Sequence, residues 1–141
     1  MPRITQLSQS SIHLNAILGE GPLWHPLEAC LYWLDIEAGM LFRYHPHNDH
    51  IETFSLGKRA GCFAFRQKGG LIIATENGLA YWDQSHGISA NFIDLYPSGA
   101  ANMMNDGHVD AAGSFWVGSK GPTSSSALFR IDPNGVVSTI L

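Results

Sequence analysis

The sequence predicts an all-β fold of short antiparallel strands joined by tight turns, and three observations predict it. Apolar residues fall in short runs bounded by Gly, Pro, Asn or Asp, with almost no helical periodicity. Composition agrees. The 141 residues include 15 glycines and 11% aromatics but only 14% charged side chains, which suits strands and turns better than long surface helices. The third observation is a repeat: three stretches share one grammar of four strands, at a spacing of about forty residues, the period of a β-propeller blade.

The first unit, about residues 16–56, runs from Trp24-His25-Pro26 through Ala29-Cys30-Leu31-Tyr32-Trp33-Leu34-Asp35 to Leu41-Phe42-Arg43-Tyr44 and the more polar Ile51-Glu52-Thr53-Phe54. The second, about 57–97, has Phe63-Ala64-Phe65, Leu71-Ile72-Ile73-Ala74-Thr75, Leu79-Ala80-Tyr81-Trp82 and Asn91-Phe92-Ile93-Asp94-Leu95. The third, about 98–141, has Gly107-His108-Val109-Asp110, Phe115-Trp116-Val117-Gly118-Ser119, Leu128-Phe129-Arg130-Ile131 and Val136-Val137-Ser138-Thr139-Ile140. Asp35, Thr75 and Ser119 take equivalent places, each at the break after the apolar strand. A β-sandwich with coincident turn spacing is the competing architecture. Three blades make part of a ring, since propellers have about 4–8. The expectation is therefore a single partial propeller over 1–141, either the N-terminal half of a longer protein or a half-ring that closes as a homodimer.

Charge and cysteine usage exclude some classes. A net charge of −4 with eight Lys and Arg argues against a nucleic-acid partner, which needs clustered cations. No apolar run approaches the ~18 residues that span a membrane. Residues 1–11 carry one basic residue and no signal-peptide core. Cys30 and Cys62 lie in apolar surroundings and read as two buried free thiols rather than a disulfide, which places the chain in the cytoplasm.

Two motifs carry chemistry. In Leu18-Gly19-Glu20-Gly21-Pro22-Leu23-Trp24, glycines and a proline hold one carboxylate rigidly at a strand entrance. A rigid carboxylate suits a hard divalent cation; a solvated turn glutamate is the plainer reading. In Met103-Met104-Asn105-Asp106-Gly107-His108-Val109-Asp110, Asn-Asp-Gly reads as a tight turn whose side chains offer oxygen donors. Three nearby features read as bland. His45, His47 and His50 flank Pro46 and Asn48-Asp49, an exposed hairpin loop rather than a zinc site, His25 before Pro26 is a turn residue, and Lys58-Arg59 is a solvated loop.

Taken together, from about Ser11 onward, these motifs resemble the N-terminal half of the senescence marker protein-30/gluconolactonase/luciferin-regenerating-enzyme family. The Leu18–Trp24 stretch looks like that family's opening metal-ligand motif. Asn105-Asp-Gly-His-Val-Asp110 with Gly113 and Trp116-Val-Gly118 looks like its Asn-Asp-Gly stretch. The resemblance implies a six-bladed propeller with one divalent cation in its central tunnel, Ca2+ foremost and Zn2+, Mn2+ or Mg2+ as alternatives. It implies hydrolysis of small sugar lactones of the gluconolactone type, with Glu20 as a metal ligand, Asn105 beside metal or substrate, and Asp106 as a neighbour in the same turn. No catalytic residue falls within the chain; the expected Asp base, and an Asn ligand, would lie beyond Leu141.

Two further departures concern substrate. Met103 stands where relatives often carry a substrate-contacting arginine, and Ser119-Lys120-Gly121-Pro122 lacks an expected glutamate. The chain alone is expected to be a weak catalyst. The alternative is a non-catalytic calcium-binding or interaction module.

Overall fold

The computed structural model describes residues 14–122 and 124–141; the reading of residues 1–11 as free of a leader lies outside them. Three antiparallel sheets follow one another, each with its strands in sequence order. The first contains β1 (Gly19–His25), β2 (Cys30–Asp35), β3 (Met40–His45) and β4 (His50–Ser55). The second contains β5 (Ala60–Phe65), β6 (Leu71–Thr75), β7 (Gly78–Asp83), β8 (Gly87–Ile88) and β9 (Ile93–Asp94). The third contains β10 (Met103–Val109), β11 (Phe115–Lys120), β12 (Leu128–Ile131) and β13 (Val137–Thr139). The opening strands β1, β5 and β10 are neighbours in space, with β5 packed on both others. That is how blades of a propeller pack around an axis.

One element departs from the expected pattern. The outer strand of the second sheet is split: β8 pairs with the end of β7 and β9 with its beginning. Two more residues lie between Ile88 and Ile93 than between their partners Trp82 and Leu79, so the chain bows out. Ser89 N–H donates to the Tyr81 carbonyl, Phe92 N–H to the Leu79 carbonyl, and Phe92 stacks on Tyr81 at 4.4 Å.

The core has two layers, one on each side of the second sheet. Between the first and second sheets lie Tyr32, Leu34, Leu41, Phe63, Leu71, Ile73 and Trp82; between the second and third lie Cys62, Ala64, Ala74, Leu79, Met104, Phe115, Val117 and Phe129. Side chains alternate faces along a strand, so Phe63 goes one way while Cys62 and Ala64 go the other. Each fully buried Leu or Ile contributes about 1.5–3 kcal/mol. Arg43 adds a polar tie across the first gap: it reaches Glu52 at 2.6 Å and donates to Gln84 Oε1 of the second sheet at 2.8 Å.

The three equivalent positions share one task. Asp35 accepts Ile17 N–H at 2.7 Å, and Leu18 and Ala38 N–H at 3.1 Å. Thr75 Oγ1 accepts Gly78 N–H at 3.2 Å, and Ser119 Oγ accepts Ala127 N–H at 2.8 Å. Each fastens the end of the apolar strand to the segment that follows it. Burial raises the Asp35 pKa, but the N–H donors of Ile17, Ala38, Leu18 and Glu37 outweigh it and hold the carboxyl below its ordinary range.

Asp35→Asn puts an amide NH2 where N–H donors converge, and should cost about 2 kcal/mol in denaturant unfolding at pH 7. A depressed folded pKa stabilises above the unfolded value of about 4 and is lost as pH falls through the folded value. The gap between wild type and variant should therefore hold from neutrality to about pH 4 and close below it.

Candidate functional site

The opening strand of every sheet carries a register shift near its start. It falls between Glu20 and Leu23 in β1, between Ala60 and Cys62 in β5, and between Met104 and Gly107 in β10. A bulge leaves residues unpaired and re-aims their side chains. Because all three strands begin at the same rim, the bulges form a row along the inner wall. This corrects one expectation. Asn105-Asp106-Gly107 is not a tight turn but the bulged part of β10, and Gly107 is absent from the positive-φ glycines. Gly21, at φ +65°, is the residue that takes a left-handed backbone in the first bulge.

Glu20 and Asn105 are both exposed, and neither side chain has a hydrogen-bond or ion-pair partner among the described residues. They do not touch each other; β5 lies between their strands. Their neighbours line one cleft of about 590 Å³: Gly21, Pro22 and Leu23 from β1, Cys62 and Phe63 from β5, Asp106, Gly107 and His108 from β10. Asp106 Oδ1 accepts the Gly107 N–H at 2.8 Å. His108 lines the same cleft and is exposed.

Gly61 explains how the strands come so close. A Cβ there would stand 2.3 Å from the Met104 carbonyl oxygen and 2.5 Å from that of Asn105. Only glycine permits this approach, and the backbone it meets is the backbone that presents Asn105.

Two readings of bland residues need amending. Arg59 is in a loop and its side chain is about 40% exposed, as expected, but it also makes contacts the sequence did not suggest. Its Nη2 lies 2.6 Å from Met103 Sδ, its backbone N–H donates to Glu76 Oε1 at 3.2 Å, and Glu37 Oε1 is 3.6 Å from Nη2. Arg59 Nε is buried without a hydrogen-bond partner. Met103 itself is buried, at 7% exposure, beneath that guanidinium. The histidine segment is a hairpin, but His45 and His50 are the strand residues that flank the turn rather than parts of a loop. His45 is half-buried between the Cys30 thiol at 3.0 Å and Glu52 at 2.6 Å. His25 ends β1, accepts the Glu28 N–H at 3.1 Å and meets the Phe65 ring edge-on at 4.5 Å.

Sequence reasoning gave no functional role to Arg59, Glu76 or Lys120, which line a second cleft with Ala100, Ala101, Asn102, Met103 and Gly121. The signal was positional. Arg59 stands just before the β5 bulge, as Gly19 and Met103 stand beside the other two, so the repeat itself points to this rim.

Among the described residues, no group of three or more His, Cys, Asp or Glu side chains could hold a metal ion. Glu20 and Asn105 offer hard oxygen donors of the kind a divalent cation takes, but fewer than the six or so it needs.

Residues 18–141 match the SMP-30/Gluconolactonase/LRE-like region. The chain belongs to this family. It is 40% identical over 104 residues to 6-deoxy-6-sulfogluconolactonase of Pseudomonas putida, a match spanning 73% of this chain and 35% of that protein. It is 35% identical over 130 residues to pentonolactonase XacC of Haloferax volcanii, spanning 87% and 42%. Regucalcin from Agrobacterium tumefaciens, a calcium-binding protein of known structure, superposes with a TM-score of 0.78 at 23% identity over 88% of this chain and 43% of that one. That likeness shows the fold, a β-propeller. The chain thus spans less than half the length of these SMP-30/gluconolactonase relatives.

Cys30 and Cys62 are free and buried. Burial, with the Asp106 carboxylate adding to it, pushes the Cys62 thiol far above its ordinary range; burial also raises Cys30, with Arg43 acting against it. Neither thiol should react with a chromogenic disulfide at pH 8 until denaturant is added, as absorbance will report. Gly61→Ala should destabilise the fold by about 1–3 kcal/mol in denaturant unfolding and shift the Asn105 side-chain amide resonances, because the added methyl meets fixed backbone.

Proposed function

We propose that this chain forms the half of a divalent-cation-dependent sugar lactonase that presents Glu20 to the cation and Asn105 to the substrate beside it. The observation that supports this reading is the pair of matching bulges. Glu20, the last paired residue before the first bulge, and Asn105, inside the third, are an unpartnered carboxylate and an unpartnered amide next to the residues that line one cleft, Gly21 and Pro22 on one side and Asp106 and Gly107 on the other.

The substrate class follows from the relatives: their names carry different sugars but share the lactone ring. Hydrolysis adds water to the lactone carbonyl carbon, breaks the ring C–O bond and releases the ring oxygen as an alcohol. The cation, when bound, polarises that carbonyl and acidifies a bound water. Glu20 supplies a negative, hard donor to hold it. The Asn105 amide can donate to a sugar hydroxyl and accept from another, which orients the ring. Met103, sealed under Arg59, contributes an apolar wall rather than a polar contact. The base that takes the water's proton is expected outside the 141 residues, within a six-bladed ring completed by further blades or by a second copy. Ca2+ is the first choice of cation, with Zn2+, Mn2+ and Mg2+ next. Two free thiols suit the reducing cytoplasm.

Calorimetric titration of the chain with Ca2+, alongside its mass in solution, tests the reading. In a ring completed by a second copy or by further blades, saturable binding weakened at least tenfold by Glu20→Gln, with EDTA-sensitive gluconolactone hydrolysis in a pH-stat, is the expected result; the 141 residues as a monomer should hydrolyse weakly or not at all. Absence of binding by all four cations in the completed ring would remove Glu20 as a ligand. Tight Ca2+ binding without hydrolysis would favour the calcium-binding alternative, which the regucalcin likeness supports.

A further inference from the structure

A cation whose donors are left unused beside an open cleft is a feature in search of an anion. Arg59 has five N–H donors. The hydrogen-bond partner of its Nη2 is a thioether, a weak acceptor, and its Nε is buried without a hydrogen-bond partner. The nearest carboxylate, Glu37, stands at 3.6 Å, outside hydrogen-bond range of Nη2, and the pair is about 40% exposed, where screening leaves such a contact little strength. Glu76, the other acid at this rim, takes the Arg59 backbone N–H and so fixes the main chain rather than neutralising the guanidinium.

Across the cleft, Lys120 ends β11, and its side chain has no hydrogen-bond or ion-pair partner among the described residues. The cleft between them is about 370 Å³, the volume of a sugar-sized ligand site. Its floor is Met103, and two residues on, about 6–7 Å along β10, is Asn105.

We infer that this cleft binds a tetrahedral oxyanion, of the sulfonate or phosphate class, carried by the substrate, with Arg59 and Lys120 as the residues that select it. The guanidinium fork pairs with two of the oxyanion's oxygens, and the ammonium adds a point charge from the opposite wall. The ring of the same molecule then extends toward Asn105. The identity of that ring rests on the lactone reading above; the anion subsite rests on Arg59 and Lys120.

The test uses sugars that cannot be hydrolysed, so it needs neither metal nor turnover. The wild-type chain is titrated with 6-deoxy-6-sulfoglucose, glucose and inorganic sulfate, following the Arg59 Nε–H resonance, assigned by its loss in Arg59→Gln. The expected result is saturable movement of that resonance by the sugar sulfonate, at least tenfold tighter than glucose or sulfate. Arg59→Gln should weaken binding at least tenfold, followed by calorimetry, and Lys120→Gln about threefold or more. If Arg59→Gln does not fold, the Lys120→Gln titration and the wild-type resonance carry the decision. Equal affinity for glucose and its sulfonate would overturn the inference, and so would sulfate binding as tightly as the sugar sulfonate, the mark of a free-anion site. Sulfonate binding retained in a completed ring that hydrolyses no lactone would sink the proposed function and leave this subsite standing.

Discussion

The middle sheet has no solvent face, and much else follows from that. Phe63, Leu71, Ile73 and Trp82 pack toward the first sheet; Cys62, Ala64, Ala74 and Leu79 pack toward the third. The large residues fill one gap and mostly small ones the other, so the third sheet can approach until β5 and β10 are in backbone contact at Gly61. Remove that approach and the wall on which Asn105 sits moves away from β1. The candidate site is thus a by-product of the close backbone packing at Gly61.

The second theme is the repeated irregularity. A regular inner strand would pair every residue and point its side chains alternately at the two neighbouring blades, leaving none for the axis. The bulges free Gly21 and Pro22 in the first blade, Gly61 in the second and Asn105 and Asp106 in the third, all near the start of the strand. Glu20 is the paired residue just before the first bulge, and Asn105 lies within the third. The middle blade places glycine, and its contribution to the rim comes from Arg59, one residue before the strand.

The all-β class, the repeat and most strands were legible because buried strands leave strong local marks: apolar runs, turn residues and a polar outer strand. The equivalence of Asp35, Thr75 and Ser119 was legible for the same reason, although what they do became visible only as hydrogen bonds to backbone N–H groups. Where reading failed, the cause lay outside the window of residues being read. Asn-Asp-Gly has the composition of a tight turn, yet pairing with β11 on both sides of it turns it into a bulge. Lys58-Arg59 has the composition of a solvated loop, yet Met103, far along the chain, receives the guanidinium. The split outer strand of the second sheet depends on a count of residues between two pairings, which no local pattern encodes. Glu20 and Asn105 stood out as motifs, whereas the cleft beside them, lined by their neighbours, required β5 to be placed between their strands.

Gly61 has a consequence for how such a site can change over generations. Mutational drift at the bulges is unequal. The occupants of the first and third blades face open space and can be exchanged at small cost to folding. Any side chain in the middle blade would collide with the carbonyls of Met104 and Asn105. New specificities in this lineage must therefore be written on the two flanks, or reach in from the rim as Arg59 does, while the centre of the wall stays bare. A propeller that looks like a set of interchangeable blades is, at this one height, a surface with a fixed blank in it.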